Sequence, residues 1–157
     1  MEKQRKNQKK GKSVKAIPEG MHTVTPYLIV DGANELIQFI EQSFDGKTTA
    51  ILKTKDGKVM HASVQIGDSQ VMVADATEQY AAGANRLYLY VNDVDSTYKK
   101  AINAKGISIR ELTDEFYGDR SAGVKDAWGN EWWIATHVED VDYEEIEKRA
   151  EKFSEAD

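Results

Sequence analysis

The sequence predicts an α+β fold, with two copies of a βαβββ module forming a curved mixed sheet around a cavity. Three observations predict it. Strand and helix signals run strand–helix–strand–strand–strand, and then that order recurs. Tyr27-Leu28-Ile29-Val30-Asp31 is matched by Tyr88-Leu89-Tyr90-Val91-Asn92 61 positions later, Gly46 by Gly106 at an offset of 60, and Gly67-Asp68 by Gly129-Asn130 at 62. Three anchors at nearly one offset mark an internal duplication. The chain also has 157 residues and no cysteine, so a domain of ordinary size must be held by its core and not by disulfides.

The elements follow in order. Thr23 to Val30 alternates and is rich in β-branched residues, as a strand is. Ala33, Leu36, Ile37, Ile40 and Phe44 fall at helical spacing, and Asp45-Gly46 ends that helix. Thr48 to Thr54 is a second strand, closed by the turn Lys55-Asp56-Gly57. Val59 to Ile66 and Gln70 to Ala74 are joined as a hairpin by Gly67-Asp68-Ser69. In the second module, Arg86 to Val91 is a strand. Asp93 or Asp95 caps a helix with the stripe Val94, Tyr98, Ala101 and Ile102, which Gly106 ends. Ile107 to Leu112, Arg120 to Lys125 and Glu131 to Thr136 complete the set, the last entered through Trp128-Gly129-Asn130.

Charge divides the chain. Residues 1–15 hold seven Lys/Arg against one Glu, whereas the rest holds 14 against 26 Asp/Glu. Residues 1–20 therefore read as a basic, disordered tail and linker, residues 21–138 as the domain, and residues 139–157 as an acidic C-terminal helix. The stripe Tyr143, Ile146, Ala150 and Phe153 on that helix needs a surface, either its own sheet or a second subunit. An acidic body does not suit phosphate contacts, so nucleic acid is not the expected partner. No apolar run approaches the roughly 18–20 residues of a membrane span. The first residues carry no apolar signal core, so a cytoplasmic location is expected. Without cysteine there is no thiolate metal site and no cysteine nucleophile.

Alternation assigns faces. Met60, Ala62, Val64 and Ile66 are expected under the helix, leaving Val59, His61, Ser63 and Gln65 on the concave side. Leu87, Leu89, Val91, Trp132 and Ile134 go to the helix side, and Arg86, Tyr88, Tyr90 and Trp133 to the cavity. Thr25 and Tyr27 join them from the first strand. Aromatic walls with a few convergent polar groups are the usual make-up of a small-molecule pocket. His61 is the catalytic candidate, either as general base or as a histidine satisfied within the sheet. Arg86 has a structural acid or a ligand anion as alternative partners. Tyr117 and Arg120 are added from Asp114-Glu115-Phe116-Tyr117-Gly118-Asp119-Arg120, a segment read as a loop, in which Asp119-Arg120 is alternatively a local ion pair. His22 and His137 flank the domain.

The sequence resembles the vicinal oxygen chelate superfamily of glyoxalase I, bleomycin-resistance proteins and extradiol dioxygenases, and within it the PhnB-like branch. The residues that carry the resemblance are Thr25-Pro26-Tyr27-Leu28, Asp56-Gly57-Lys58-Val59-Met60-His61-Ala62, Ile66-Gly67-Asp68-Ser69, Leu89-Tyr90-Val91, Tyr117-Gly118-Asp119-Arg120 and Trp132-Trp133-Ile134-Ala135-Thr136-His137, between about His22 and Asp140. The resemblance implies a cavity, two-fold dimers and, in the metal enzymes, ligands at positions held here by Thr25, Val71 or Met72, Arg86 and Trp133. None of these is a transition-metal ligand of the usual kind. The leading expectation is a small-molecule binder and homodimer with no metal or other cofactor. The alternatives are a metal-dependent lyase or isomerase of the glyoxalase type with a divalent ion at a site built on His61, and a protein-interaction module with a vestigial cavity.

Overall fold

A computed structural model describes residues 13–156. The order is β1 (Tyr27–Val30), α1 (Ala33–Phe44), β2 (Lys47–Lys53), β3 (Val59–Ile66), β4 (Ser69–Asp75), β5 (Arg86–Tyr90), α2 (Val94–Asn103), β6 (Ile107–Asp114), β7 (Asp119–Lys125), β8 (Glu131–His137) and α3 (Tyr143–Glu155). The strands form two four-stranded mixed sheets, ordered β1-β4-β3-β2 and β5-β8-β7-β6. In each, the first and last strands of the module run parallel and the other pairs antiparallel. The duplication is thus real in space: Tyr27 and Tyr88 stand at matching places on β1 and β5. Most of the basic segment lies outside the described residues, and Ser13–Gly20 are exposed, with no helix or strand. Among the described residues no helix is long and apolar enough to cross a membrane.

The helical stripes pack as their spacing predicts. Ala33, Leu36, Ile37, Ile40 and Phe44 are buried in α1, as are Val94 and Ala101 in α2. Asp93 caps α2 by accepting from the Ser96 amide. At α1, the cap comes from another element: Asp75 at the end of β4 accepts from the amides of Gly32 and Ala33. Both helices belong to one core. Phe39 and Phe44 of α1 pack against Trp132 on the helix side of β8, with the Phe44 ring centroid 4.8 Å away. Each large side chain buried there contributes roughly 1.5–3 kcal/mol before conformational entropy.

This packing sets the direction of everything else. Each helix packs on its own sheet and on the other helix, and the buried side chains of both modules form one core, which leaves the opposite face of each sheet open. The expected curved sheet is present within one chain as two separate four-stranded halves.

Three expectations need correction. The first strand begins at Tyr27 and not at Thr23. Val59 is buried in the core whereas Met60 is 55% exposed, reversing the assigned faces. The reason is a bulge: Leu52 pairs with His61 and Lys53 with Val59, so Met60 has no partner, and parity slips by one residue. The segment before β7 is not a long loop. β6 runs on to Asp114, and Glu115–Gly118 is a tight turn closed by the Glu115 amide on the Asp119 carbonyl, at 2.7 Å.

The C-terminal helix folds back on its own chain. Phe153 packs on Phe116 at 5.4 Å between centroids, and Arg149 donates to the Phe116 carbonyl and pairs with Glu139 and Glu145. Tyr143 and Phe153 nonetheless stay largely exposed.

Candidate functional site

The open face of the second sheet carries a connected polar network among aromatic rings. At its centre is Asp119, the first residue of β7, which is only 3% exposed. Its Oδ2 accepts from the Tyr90 hydroxyl at 3.0 Å and the Tyr88 hydroxyl at 3.4 Å, and its Oδ1 lies 2.8 Å from His137 Nδ1. The far imidazole nitrogen, Nε2, is 2.7 Å from Asp140. Alternation along β5, β7 and β8 puts these groups on one face, because Asp119 pairs with His137 in the β7–β8 register.

The pKa directions follow. Burial first, and then the neighbouring Tyr117 hydroxyl, push the Tyr88 phenol far above its ordinary value. The hydrogen bond to Asp119 raises that of Tyr90. The same carboxylate, followed by Asp140, raises His137 above its ordinary value of 6.5. The folded protein therefore holds a proton at His137 that the unfolded chain releases near pH 6.5. This stabilisation is complete below about pH 6.5 and is lost as pH rises through the elevated value. His137→Gln is expected to cancel that part of the pH dependence, measured as the wild-type-minus-variant urea midpoint from pH 5 to 9. A difference that grows as pH rises would sink the assignment.

Next to this network, Glu115 accepts from the Ser121 hydroxyl at 2.8 Å and pairs with Arg110 at 2.8 Å. Trp133 lies over Gly123, where an added Cβ would stand 3.1 Å from the indole. Its Nε1 is 3.4 Å from Glu131, which also pairs with Arg86 at 2.9 Å.

The residues singled out in the sequence divide into three groups. Arg86, Tyr88, Tyr90 and Trp133 share the open face of the second sheet. His61, half-buried, lies on the open face of the first sheet, edge-on to Tyr27 at 6.0 Å, with Ser63 buried beside it on β3. Gln65 sits at the rim, lining a cleft of about 1110 Å³ between the modules together with Arg86, Tyr88 and Tyr90. Arg120 is on the helix side, held by Asp95 of α2 at 2.8 Å and by Asp114 at 3.1 Å. It neither faces the network nor pairs with Asp119. Tyr117 reaches the network through Tyr88. His22 contacts the Asp68 carbonyl, whereas His137 contacts Asp119 and Asp140. Asp119 and His137 were missed as members of the site. The available signal was the pairing of two strand-end residues on one face, which setting the start of β7 at Arg120 concealed.

The positions where the resemblance implies metal ligands do not fit a metal. The Thr25 hydroxyl donates to the His22 carbonyl, Met72 is a thioether, Arg86 is cationic and Trp133 offers only an N–H. Transition metals take imidazole, carboxylate or thiolate, and among the described residues no three His, Asp or Glu are grouped to hold an ion.

With the duplicated modules and their open faces established, comparison with known proteins decides the family. Residues 20–134 match the Glyoxalase/Bleomycin resistance protein/Dioxygenase superfamily. The chain belongs to this superfamily. An uncharacterised Mycobacterium bovis protein is 30% identical over 135 residues, covering 79% of this chain and 89% of its own. A Mycobacterium tuberculosis relative, also uncharacterised, matches at 30% over 79% of each chain. Among solved structures, TioX from Micromonospora aligns with TM-score 0.61 at 20% identity, over 73% of this chain and 99% of its own. The PhnB protein from Bacillus cereus gives 0.57 at 17%, over 73% and 99%. The fosfomycin resistance protein FosX from Mesorhizobium loti gives 0.54 at 14%, over 73% and 91%. At these identities the structures share the superfamily's fold.

Proposed function

We propose that this superfamily member binds a small molecule on the open face of its second sheet, without a transition-metal centre. We further propose that the site is completed in a homodimer by the open face of a second copy's first sheet. The observation that carries the reading is the aromatic shelf of exposed Tyr88 and Tyr90 and half-buried Trp133 around buried Asp119 and its exposed partner His137. Such a shelf combines area for stacking with fixed polar groups. The dimer reading rests on the separation of the two faces: Tyr27 and His61 lie on the first sheet and Tyr88 and Tyr90 on the second, and a two-fold pair would set the first sheet of one copy against the second sheet of the other.

A thermal-shift screen of small aromatic compounds on the full chain, paired with light scattering and metal analysis, tests this. A ligand at about 100 times its Kd adds about 2.7 kcal/mol, a rise in Tm of roughly 5–10 °C for a domain this size. The rise should vanish in Tyr88→Ala/Tyr90→Ala, whose exposed side chains contribute little to the core. Scattering should give twice the 17.6 kDa chain mass. An undiminished shift in the variant, a monomer at micromolar concentration, or stoichiometric zinc, nickel, iron or manganese would each remove the corresponding part of the proposal.

A further inference from the structure

Three ion pairs stand on the open face of the second sheet, and all three are layered in the same way. Each acid lies against the sheet, and its base reaches outward. The Arg86 side chain is 79% exposed over a Glu131 that is only 20% exposed. Arg110 is likewise more exposed than Glu115, and His137 more than Asp119. The face therefore presents the N–H-bearing member of each pair. Asp140 is the exception, an exposed acid at the His137 end, so the two ends of the face differ in charge.

The end away from Asp140 holds a surplus of positive charge. The strand registers set Arg86 of β5 and Lys125 of β7 on either side of Glu131 of β8, so two cations flank one carboxylate. Glu131 accepts from Arg86 Nε at 2.9 Å and from the Trp133 indole at 3.4 Å. Arg86 is held through Nε alone, which leaves both terminal amino groups of its guanidinium without a protein partner among the described residues. Lys125 is exposed and makes no ion pair among them. Arg110 lies on β6, at the opposite edge of the sheet, with Glu115. One step along the same face from Arg86 and Glu131 stand Tyr88 and its cross-strand partner Trp133. A cationic row and an aromatic row are thus neighbours, about 6–7 Å apart along the strands, within the reach of a small aromatic acid. Arg86 and Tyr88 also line the cleft between the modules, which gives a ligand access.

We infer that this corner of the open face binds a small aromatic acid. Arg86 anchors the carboxylate, Lys125 is the second cation, and Tyr88 and Trp133 form the wall for the ring. A guanidinium offers a planar pair of donors that matches the two oxygens of a carboxylate, and such charge-assisted bonds are roughly twice as strong as neutral ones. The Arg86–Glu131 bond stays intact, because the terminal nitrogens are donors separate from Nε. Glu131 repels an incoming anion, but two cations against it leave the corner net positive. This inference rests on the proposed binding role of the face and names the ligand class for it.

The test uses four probes on the full chain at pH 7. Benzoate is compared with benzyl alcohol, which removes the charge, benzylammonium, which reverses it, and acetate, which lacks the ring. Binding is followed by NMR shifts of the Trp133 indole N–H and the Arg86 Nε–H. Benzoate should bind at least about tenfold more tightly than each of the others. Arg86→Gln and Lys125→Gln, both at exposed positions, should each weaken benzoate about three- to tenfold. Lys53→Gln on the first sheet should leave it unchanged. Benzyl alcohol or benzylammonium binding as tightly as benzoate overturns the acid preference and leaves the binding role standing. Acetate binding as tightly overturns the aromatic wall. Silence from all four overturns both the inference and the binding role. Undiminished benzoate affinity in Arg86→Gln overturns the anchor, and in Lys125→Gln the second cation. The Arg86 Nε–H shift in the wild-type chain reads the same contact without a substitution, and its absence on benzoate binding also overturns the anchor.

Discussion

Asp126→Ala is expected to destabilise the protein by about 3–5 kcal/mol, a large part of the 5–15 kcal/mol typical of a domain. Asp126 is 4% exposed and ties together the turn into β8. Its Oδ1 accepts from the amides of Trp128 and Asn130, and its Oδ2 from the Asn130 side chain and the Trp132 indole, all at 2.9 Å. Removing the carboxylate leaves two fully buried side-chain donors without partners, at about 1–3 kcal/mol each. The damage spreads along two routes. Asn130 also holds the amide of Asn85, where the linker enters β5, and Trp132 is the residue on which Phe39 and Phe44 of the first module pack. Asp126→Asn should not rescue, because its amide would turn an N–H toward donors. Urea denaturation followed by tryptophan fluorescence checks this, with exposed Glu78→Ala expected within about 0.5 kcal/mol of wild type. An Asp126→Ala midpoint equal to that of Glu78→Ala would show that the turn is held by its backbone alone.

How much of this was legible in the sequence depended on whether the determinant was local. The stripes of α1 and α2 are set by periodicity and capping, and Leu36, Ile40, Val94 and Ala101 are buried as spaced. The faces of β5 and β8 followed from alternation, because those strands pair in unbroken register. Parity failed at Met60, where a bulge inserts one residue; nothing in Lys58-Val59-Met60-His61 announces it. Asp119 was misjudged for a related reason. An acid at a strand end reads as turn chemistry, and only the cross-strand partner, His137, shows it to be buried and paired. The cap of α1 by Asp75 and the packing of both modules into one core were not legible at all. Both are set by contacts between distant segments, Asp75 with Gly32 and Phe44 with Trp132, which no local pattern encodes. His61, prominent in the sequence as a lone histidine on a strand, is placed on the first sheet, apart from Tyr88 and Tyr90 on the second.

The second large effect is expected at Gly118. Its φ is +100°, a region that costs an L-residue roughly 1–2 kcal/mol. A Cβ there would also overlap the carbonyl oxygen of Glu139 and press on Val141 at 3.1 Å. The overlap is with backbone, which cannot step aside as the end of a side chain can. Gly118 is where the chain leaving β8 is fastened to the turn before β7: its carbonyl accepts from the amides of Val138 and Glu139 at 2.9 and 3.0 Å. Gly118→Ala must push these segments apart, so a loss of about 2–4 kcal/mol is expected. The opening falls next to Asp119, His137 and Asp140, so the imidazole bridge should loosen with it. Gly57→Ala separates the two causes. Gly57 has a φ of +85° but nothing within 4 Å of an added Cβ, so it reports strain alone, about 1–2 kcal/mol. If Gly118→Ala loses no more stability than Gly57→Ala, the contact with Glu139 is not a fixed part of the fold. If it loses more, hydrogen exchange at the Val138 and Glu139 amides should rise in step, because Asp119 and His137 are held by the same turn.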